Sequence, residues 1–405
     1  MTELVITKLG HLGDGLAEGI AVPGALPGET VTGTLEGGTM PAPRIVTPSP
    51  DRVTPPCPHA RACGGCVIQH GSNALVSEWK RGIVADALRA RGIAAEVAPP
   101  LTSPPASRRR AGFSGRRTKK GAMVGFHGPR SHTLVEVPAC RVIAPRLAAI
   151  MPHLGAMTMA GGSRKGEITY LATETLNGPD LAATGGKPLD LALHQELVAL
   201  GAEAGLARLS WNGEQVAQWA APEIRLGSAR VALPPGAFLQ ATAHGQAALT
   251  AAVEEITAGA ARIADLFCGC GTFALPLSAR ADVLAFEAER PQVAALQAAW
   301  NRTEGLHQLR AEARDLFRRP LMADELKGVE AVVIDPPRAG AAAQMAELAK
   351  SAVPVIASVS CSPSSFARDA AILIGGGYEM GKVTVVDQFR WSPHAEIVAG
   401  FVRRG

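Results

Sequence analysis

The chain has 405 residues, 47% hydrophobic and 19% charged, a composition that excludes an intrinsically disordered tail and leaves room for two or three domains. No run approaches the roughly 18 apolar residues of a membrane span, which excludes a membrane partner of that kind, and a net charge of +4 by itself names no other partner. Met1-Thr2-Glu3-Leu4-Val5 lacks the basic and apolar regions of a secretory signal, so a cytoplasmic location is expected.

From the N-terminus, residues 4–8, 19–22, 30–35 and 44–47 read as short strands between Gly/Pro turns. Their spacing suggests a small barrel of the oligonucleotide-binding type over residues 1–50. A Pro-rich linker, Pro48 to Pro56, leads into Cys57, Cys63 and Cys66. Residues 73–91 carry a helical pattern with Leu75, Trp79, Ile83, Ala87 and Leu88 on one side, expected to pack on the C-terminal domain. After two further Pro-Pro breaks come Arg108, Arg109, Arg110, Arg116, Arg117, Lys119, Lys120 and Arg130, with no acidic residue from Val97 to Val135. Such asymmetry suits either a phosphate-contacting surface or a solvated basic hairpin. From 106 to 240 the signal is mainly strand-like, so 51–235 reads as a β-rich central domain.

Near Ala243 the texture changes. Segments 262–267, 282–287, 329–335 and 353–359 read as buried strands, and 292–301 and 344–351 as helices. This alternation predicts a doubly wound, mainly parallel α/β sheet over 236–405.

The segment Asp265-Leu266-Phe267-Cys268-Gly269-Cys270-Gly271-Thr272 closes a strand and opens a helix, with glycines where a backbone must turn sharply beside a ligand. Glu287 ends the next predicted strand, where a carboxylate can accept from ribose hydroxyls. A nicotinamide dinucleotide competes as the ligand, since Ala274 is tolerated at its third glycine position. The late position of the motif and its leading Asp265 fit S-adenosylmethionine better, as does Asp315 after the third strand.

The fourth strand runs into Asp335-Pro336-Pro337-Arg338 and the fifth into Ser360-Cys361-Ser362-Pro363. Both ends should face the crevice of the glycine loop. A thiol there, at the start of a helix, reads as a nucleophile of lowered pKa more readily than as a buried structural cysteine.

Cys57, Cys63 and Cys66, with the distant Cys140, suggest metal ligation in a chain without a secretion signal. Zinc ribbons usually carry two C-x2-C pairs, and there is one here; three close cysteines plus one remote suit an iron–sulfur cube.

Taken together, these motifs resemble the iron–sulfur-containing RNA uracil-5 methyltransferases, and the likeness covers nearly the whole chain. The glycine loop, Asp335-Pro336-Pro337-Arg338, Ser360-Cys361-Ser362-Pro363 and Pro393-His394-Ala395-Glu396 stand in that family's order, and Gly13-Asp14-Gly15 with Val22 to Glu29 resembles its RNA-binding TRAM domain. The resemblance implies a class I methyltransferase fold, Cys361 as nucleophile, and Glu396 as the base at C5. It implies S-adenosylmethionine contacts from Gln240, Phe267, Thr272, Glu287, Asp315 and Asp335. It further implies a [4Fe-4S] cluster on Cys57, Cys63, Cys66 and Cys140, distinct from the C-x3-C-x2-C triplet of radical enzymes. A monomer acting on RNA rather than DNA is expected, with ribosomal RNA favoured over transfer RNA. Where the family commonly has Asn, this chain has Thr272 and Thr242. A non-catalytic RNA-binding or assembly factor would need neither Cys361 nor Glu396, and methylation of a base nitrogen would not need Cys361.

Overall fold

The structure, a computed structural model, describes residues 1–404. At the N-terminus, strands Thr2–Val5, Thr30–Gly33 and Arg44–Thr47 form one antiparallel sheet, and Lys8–Leu9, Gly15–Ala17 and Ile20–Val22 another. They close on Leu4, Ile6, Val22, Val31 and Met40, whose alternation with exposed polar residues gives each strand one inward face.

Ser72 caps the helix Asn73–Arg89, its hydroxyl accepting from the Leu75 amide. Its fully buried residues are Val76, Trp79, Lys80, Val84 and Leu88; Leu75, Ile83 and Ala87 are only partly covered, so the inward face is rotated from the expected one. The reason is that the helix is packed on two sides. Trp79 joins a cluster beside the N-terminal lobe, whereas Val84 and Leu88 enter the C-terminal core, where the helix lies on helix Pro363–Gly375.

The central region is a seven-stranded sheet bearing helices Met151–Gly161 and Leu191–Glu203. These correct the mainly strand-like expectation. Met151–Gly161 is so rich in Met, Leu, Ala and Gly that no polar face marks it as helical, and burial against the sheet decides its conformation.

In the C-terminal sheet the order is Leu309–Ala313, Asp282–Glu287, Arg262–Leu266, Ala331–Ile334, Val355–Ser360, Glu396–Arg403, Tyr378–Asp387. The first five strands are parallel, and Glu396–Arg403 runs antiparallel to both its neighbours. Leu101–Thr102 adds a short edge strand beside Tyr378–Asp387. The parallel strands therefore deliver the glycine loop, Asp335 and Cys361 to one edge of the sheet. Among the described residues, no helix is long and apolar enough to cross a membrane.

Candidate active site

Phe267 leaves its strand with φ +61°, a conformation uncommon for a non-glycine residue, and Gly269 and Gly271 follow at +56° and +95°. A Cβ on Gly271 would lie 2.5 Å from Leu296 Cδ1, so only glycine lets helix Arg290–Asn301 pack this close to the loop. Glu287 holds the turn in place: its carboxylate accepts from the Gly269 amide and the Glu289 amide, each at 3.0 Å. Phe267 stacks obliquely on Phe317 with ring centres 5.3 Å apart, and Asp315 fixes that neighbour by accepting from the Phe317 amide. Thr272 is half-buried just beyond the loop. Phe267, Thr272, Glu287 and Asp315 are thus brought to one rim. Thr242 is not part of it: its hydroxyl caps helix Ala243–Ile256 by accepting from the Gly245 amide and meets Ser103.

Beneath the loop Asp265 is fully buried, and neither of its carboxylate oxygens has a well-formed hydrogen bond, the Ala274 amide approaching them only loosely. Burial, then neighbouring Asp335, pushes its carboxyl well above the usual range. An orphaned carboxylate under a glycine turn suits a ligand that brings positive charge or N–H donors.

At the other end, Glu396 is the first residue of its strand and only 3% exposed. Strand Val355–Ser360 ends one residue before Cys361, and Ser362 caps the helix that follows. Four polar side chains connect the two ends. The Thr242 amide donates to Gln388 Oε1 at 3.3 Å, which turns the Gln388 NH2 group toward Gln240 and Glu396. Gln240 accepts there with its oxygen and donates to Asp335 at 3.4 Å.

This cavity is hostile to negative charge. Burial pushes Asp335 up to about 7. Burial and then Asp335 push Glu396 up to about 8, against hydrogen bonding from Gln388 and the charge of Arg338. Cys361 is pushed up to about 11 by burial, Glu396 and Asp335, with Arg338 opposing. The expectation of a lowered thiol pKa at a helix start is corrected here: burial first, and then two neighbouring carboxyl groups, outweigh the partial charge of the helix end. Arg338 also donates to His394 Nδ1 at 3.1 Å. Cys361 opens into a groove of about 760 Å³ bounded by Lys8 and His11 of the N-terminal lobe, Trp79 and Ile83 of the helix, and His394.

The arginine triplet is also corrected. Arg108, Arg109 and Arg110 are half-buried and engaged within the fold rather than forming a free phosphate-binding face, and burial lowers all three, Arg109 to about 10. Arg109 donates to the Gln240 carbonyl and to Gln246 Oε1, Arg108 lies over the Phe389 ring, and Arg110 over Phe238. Arg116, Lys119 and Lys120, on the hairpin Arg110–Arg117/Ala122–His127, remain exposed.

Cys57, Cys63, Cys66 and Cys140 are free thiols that line one mostly apolar cavity of about 230 Å³, with Arg108 in its wall. Burial pushes Cys66 up to about 12, and the other three thiols add to this. Among the described residues, no three His, Cys, Asp or Glu side chains form a group that could hold a single metal ion.

Sequence reasoning missed Gln388 and Lys80. Gln388 stands two positions after the apolar run Val383 to Val386 and shortly before Pro393-His394, and Lys80 interrupts an apolar helix face between Val76 and Val84; both signals are present in the chain.

A family profile described as tRNA (Uracil-5-)-methyltransferase matches residues 231–403. A Caulobacter vibrioides protein named "uncharacterized RNA methyltransferase" is 41% identical over the whole of both chains. A 23S rRNA (uracil(1939)-C(5))-methyltransferase of Shewanella amazonensis is 31% identical, over 98% of this chain and 95% of that protein. Among solved structures, the Pyrococcus abyssi tRNA (uracil-54, C5)-methyltransferase in complex with S-adenosyl-L-homocysteine superimposes with a TM-score of 0.76, at 23% identity and 99% coverage of each chain. At that identity the likeness establishes the fold alone, that of the class I S-adenosylmethionine-dependent methyltransferases.

Proposed function

The chain belongs to the RNA uracil-5-methyltransferase family and is an RNA (uracil-5-)-methyltransferase, and from that premise we propose that it methylates C5 of one uridine in 23S ribosomal RNA through a covalent Cys361–C6 adduct. The observation that carries this reading is the meeting of Cys361, Glu396 and Asp335 at the strand ends beside the glycine loop. The ribosomal target rests on the 23S rRNA relative, which matches this chain almost end to end.

Uracil C5 is a poor nucleophile until a group adds at C6. Cys361 gives up its thiol proton to water in the open groove, Sγ bonds to C6, and the C5=C6 electron pair moves toward C5 and O4. When bound, S-adenosylmethionine would supply an electrophilic methyl group for C5. Gln240, Phe267, Thr272, Glu287, Asp315 and Asp335 would hold it, and the orphaned Asp265 carboxylate fits its cationic end. Glu396 then takes the C5 proton, the C5–H pair restores C5=C6, and Sγ leaves. A carboxyl pushed up to about 8 is a stronger base than an ordinary one, which suits that step.

Cys57, Cys63, Cys66 and Cys140 would hold a [4Fe-4S] cluster. Four thiols that line one cavity, three of them close in sequence and one remote, support this reading over a zinc ribbon. Its role would be structural or RNA-positioning, since no step needs an electron. The N-terminal lobe, read as a TRAM-like barrel, and the exposed hairpin lysines would hold RNA beside the groove, with the protein acting as a monomer.

Methyl transfer from labelled S-adenosylmethionine to 23S rRNA and to tRNA transcripts tests the proposal. The expected product is 5-methyluridine in 23S rRNA. Label confined to tRNA would move the target, and label on another base would overturn the chemistry.

A further inference from the structure

The geometry points to Lys80 as the positioning residue for the catalytic loop, holding residues 387–394 so that Gln388 and Glu396 face the site. Lys80 is fully buried, an unusual state for lysine. Its ammonium has three protons and three acceptors: a carboxylate oxygen of Asp387, the Phe389 carbonyl at 3.1 Å and the His394 carbonyl at 2.9 Å. Asp387 ends strand Tyr378–Asp387, and Phe389 and His394 lie on the connection from it to strand Glu396–Arg403. The connection therefore folds around one cation contributed by a helix more than 300 positions earlier in the chain.

What that cation holds matters for the chemistry. Gln388, next to Asp387, supplies the NH2 group shared by Gln240 and Glu396. His394, two residues before Glu396, receives the Arg338 hydrogen bond. Asp387 also accepts from the Phe389 amide at 3.0 Å, closing the turn just after Gln388. The adjacent Trp79 donates its indole N–H to the Gly10 carbonyl at 2.9 Å, so consecutive helix residues grip the N-terminal lobe and the catalytic loop. The Val67 and Ile68 amides, just past Cys66, both donate to the Trp391 carbonyl and secure the same loop from the cysteine side.

The inference rests on the catalytic reading above, and its test keeps the two apart. Lys80→Met alone strands a buried carboxylate and can unfold the protein, so it is combined with Asp387→Asn, which removes the charge and keeps an acceptor for Phe389. The double variant should melt within a few degrees of wild type, turn over at least tenfold more slowly and accumulate protein joined to methylated RNA on a denaturing gel. Wild-type turnover in that stably folded variant would overturn the inference, as would slow turnover without adduct. If the double variant does not fold, Lys80→Arg keeps the cation but exchanges a compact head for a planar fork. Adduct accumulation in Lys80→Arg supports the inference, and wild-type turnover overturns it. Failure of the catalytic reading would appear separately, as methylation that persists in Cys361→Ala.

Discussion

Cys361 follows Ser360, whose antiparallel partner Ile397 is preceded by Glu396, so the register at the end of these neighbouring strands brings Cys361 close to Glu396. The register does what no local motif could, setting the proposed nucleophile and base on facing strand ends held by backbone hydrogen bonds. A slip of one residue would turn Glu396 to the opposite face of the sheet.

Separation of the two roles is the first expectation. Cys361→Ala should bind RNA and cofactor but form no adduct. Glu396→Gln should transfer methyl and stall, leaving a retarded band of enzyme joined to methylated RNA on a denaturing gel, with turnover down by about 10²-fold or more. A band in Cys361→Ala would assign the nucleophile elsewhere, and free product released at the normal rate by Glu396→Gln would remove Glu396 from the mechanism.

Thiol reactivity carries the pH signature. In the free enzyme, alkylation of Cys361 should rise with pH through about 11. Negative charge on Glu396 and Asp335 opposes a thiolate, so removing one charge in Glu396→Gln must lower that midpoint. It should stay above the ordinary value of 9.0, because burial, the largest cause, remains. A midpoint unmoved in Glu396→Gln would mean that the two groups do not share the site.

Gly245 offers a test through packing. A Cβ there would come within 2.8 Å of Gln388 Cβ and Oε1. In a free helix Gly→Ala stabilises by about 1 kcal/mol, yet here it should displace Gln388 and cut turnover severalfold with little change in melting temperature. Turnover at the wild-type rate in Gly245→Ala would show that the Gln388–Gln240 link has no catalytic weight.

For RNA binding, Lys119→Ala with Lys120→Ala should reduce affinity and flatten the slope of log K against log salt by about one to two, because fewer counterions are released. Arg109→Ala should instead impair folding or turnover with the slope unchanged, since Arg109 is engaged by Gln240 and Gln246. Salt titration of binding to a 23S fragment distinguishes the two.

Metal content decides the cysteine cavity. Protein purified without oxygen should contain about four iron and four sulfide per chain, and Cys66→Ser should lose most of it. Stoichiometric zinc in wild type would replace the cluster with a different ligand set.

Much of the site could be read without coordinates because its residues announce themselves locally. A strand followed by Gly269 and Gly271, a strand followed by Asp335-Pro336-Pro337, and a strand followed by Cys361 each need only the rule that parallel strands present their ends together. The helix Met151–Gly161 is harder: a packed apolar segment lacks the periodic contrast that distinguishes a helix from a strand, whereas Leu191–Glu203 carries that contrast in Leu193, Leu197 and Gly201, one turn apart.

By itself, then, the sequence determined the alternation of strands and helices, the chemical groups at the strand ends, and the four cysteines, because periodicity and turn chemistry act over a few residues. The tertiary structure decided the rest. It turned Arg108, Arg109 and Arg110 inward, raised the Cys361 thiol where a helix start had suggested the opposite, and set Lys80 under the loop before Glu396. Each of these depends on desolvation and on neighbours outside the local segment, from tens of positions away for Cys361 to more than 300 for Lys80, and a pKa or an ion pair exists only once burial has brought those groups together.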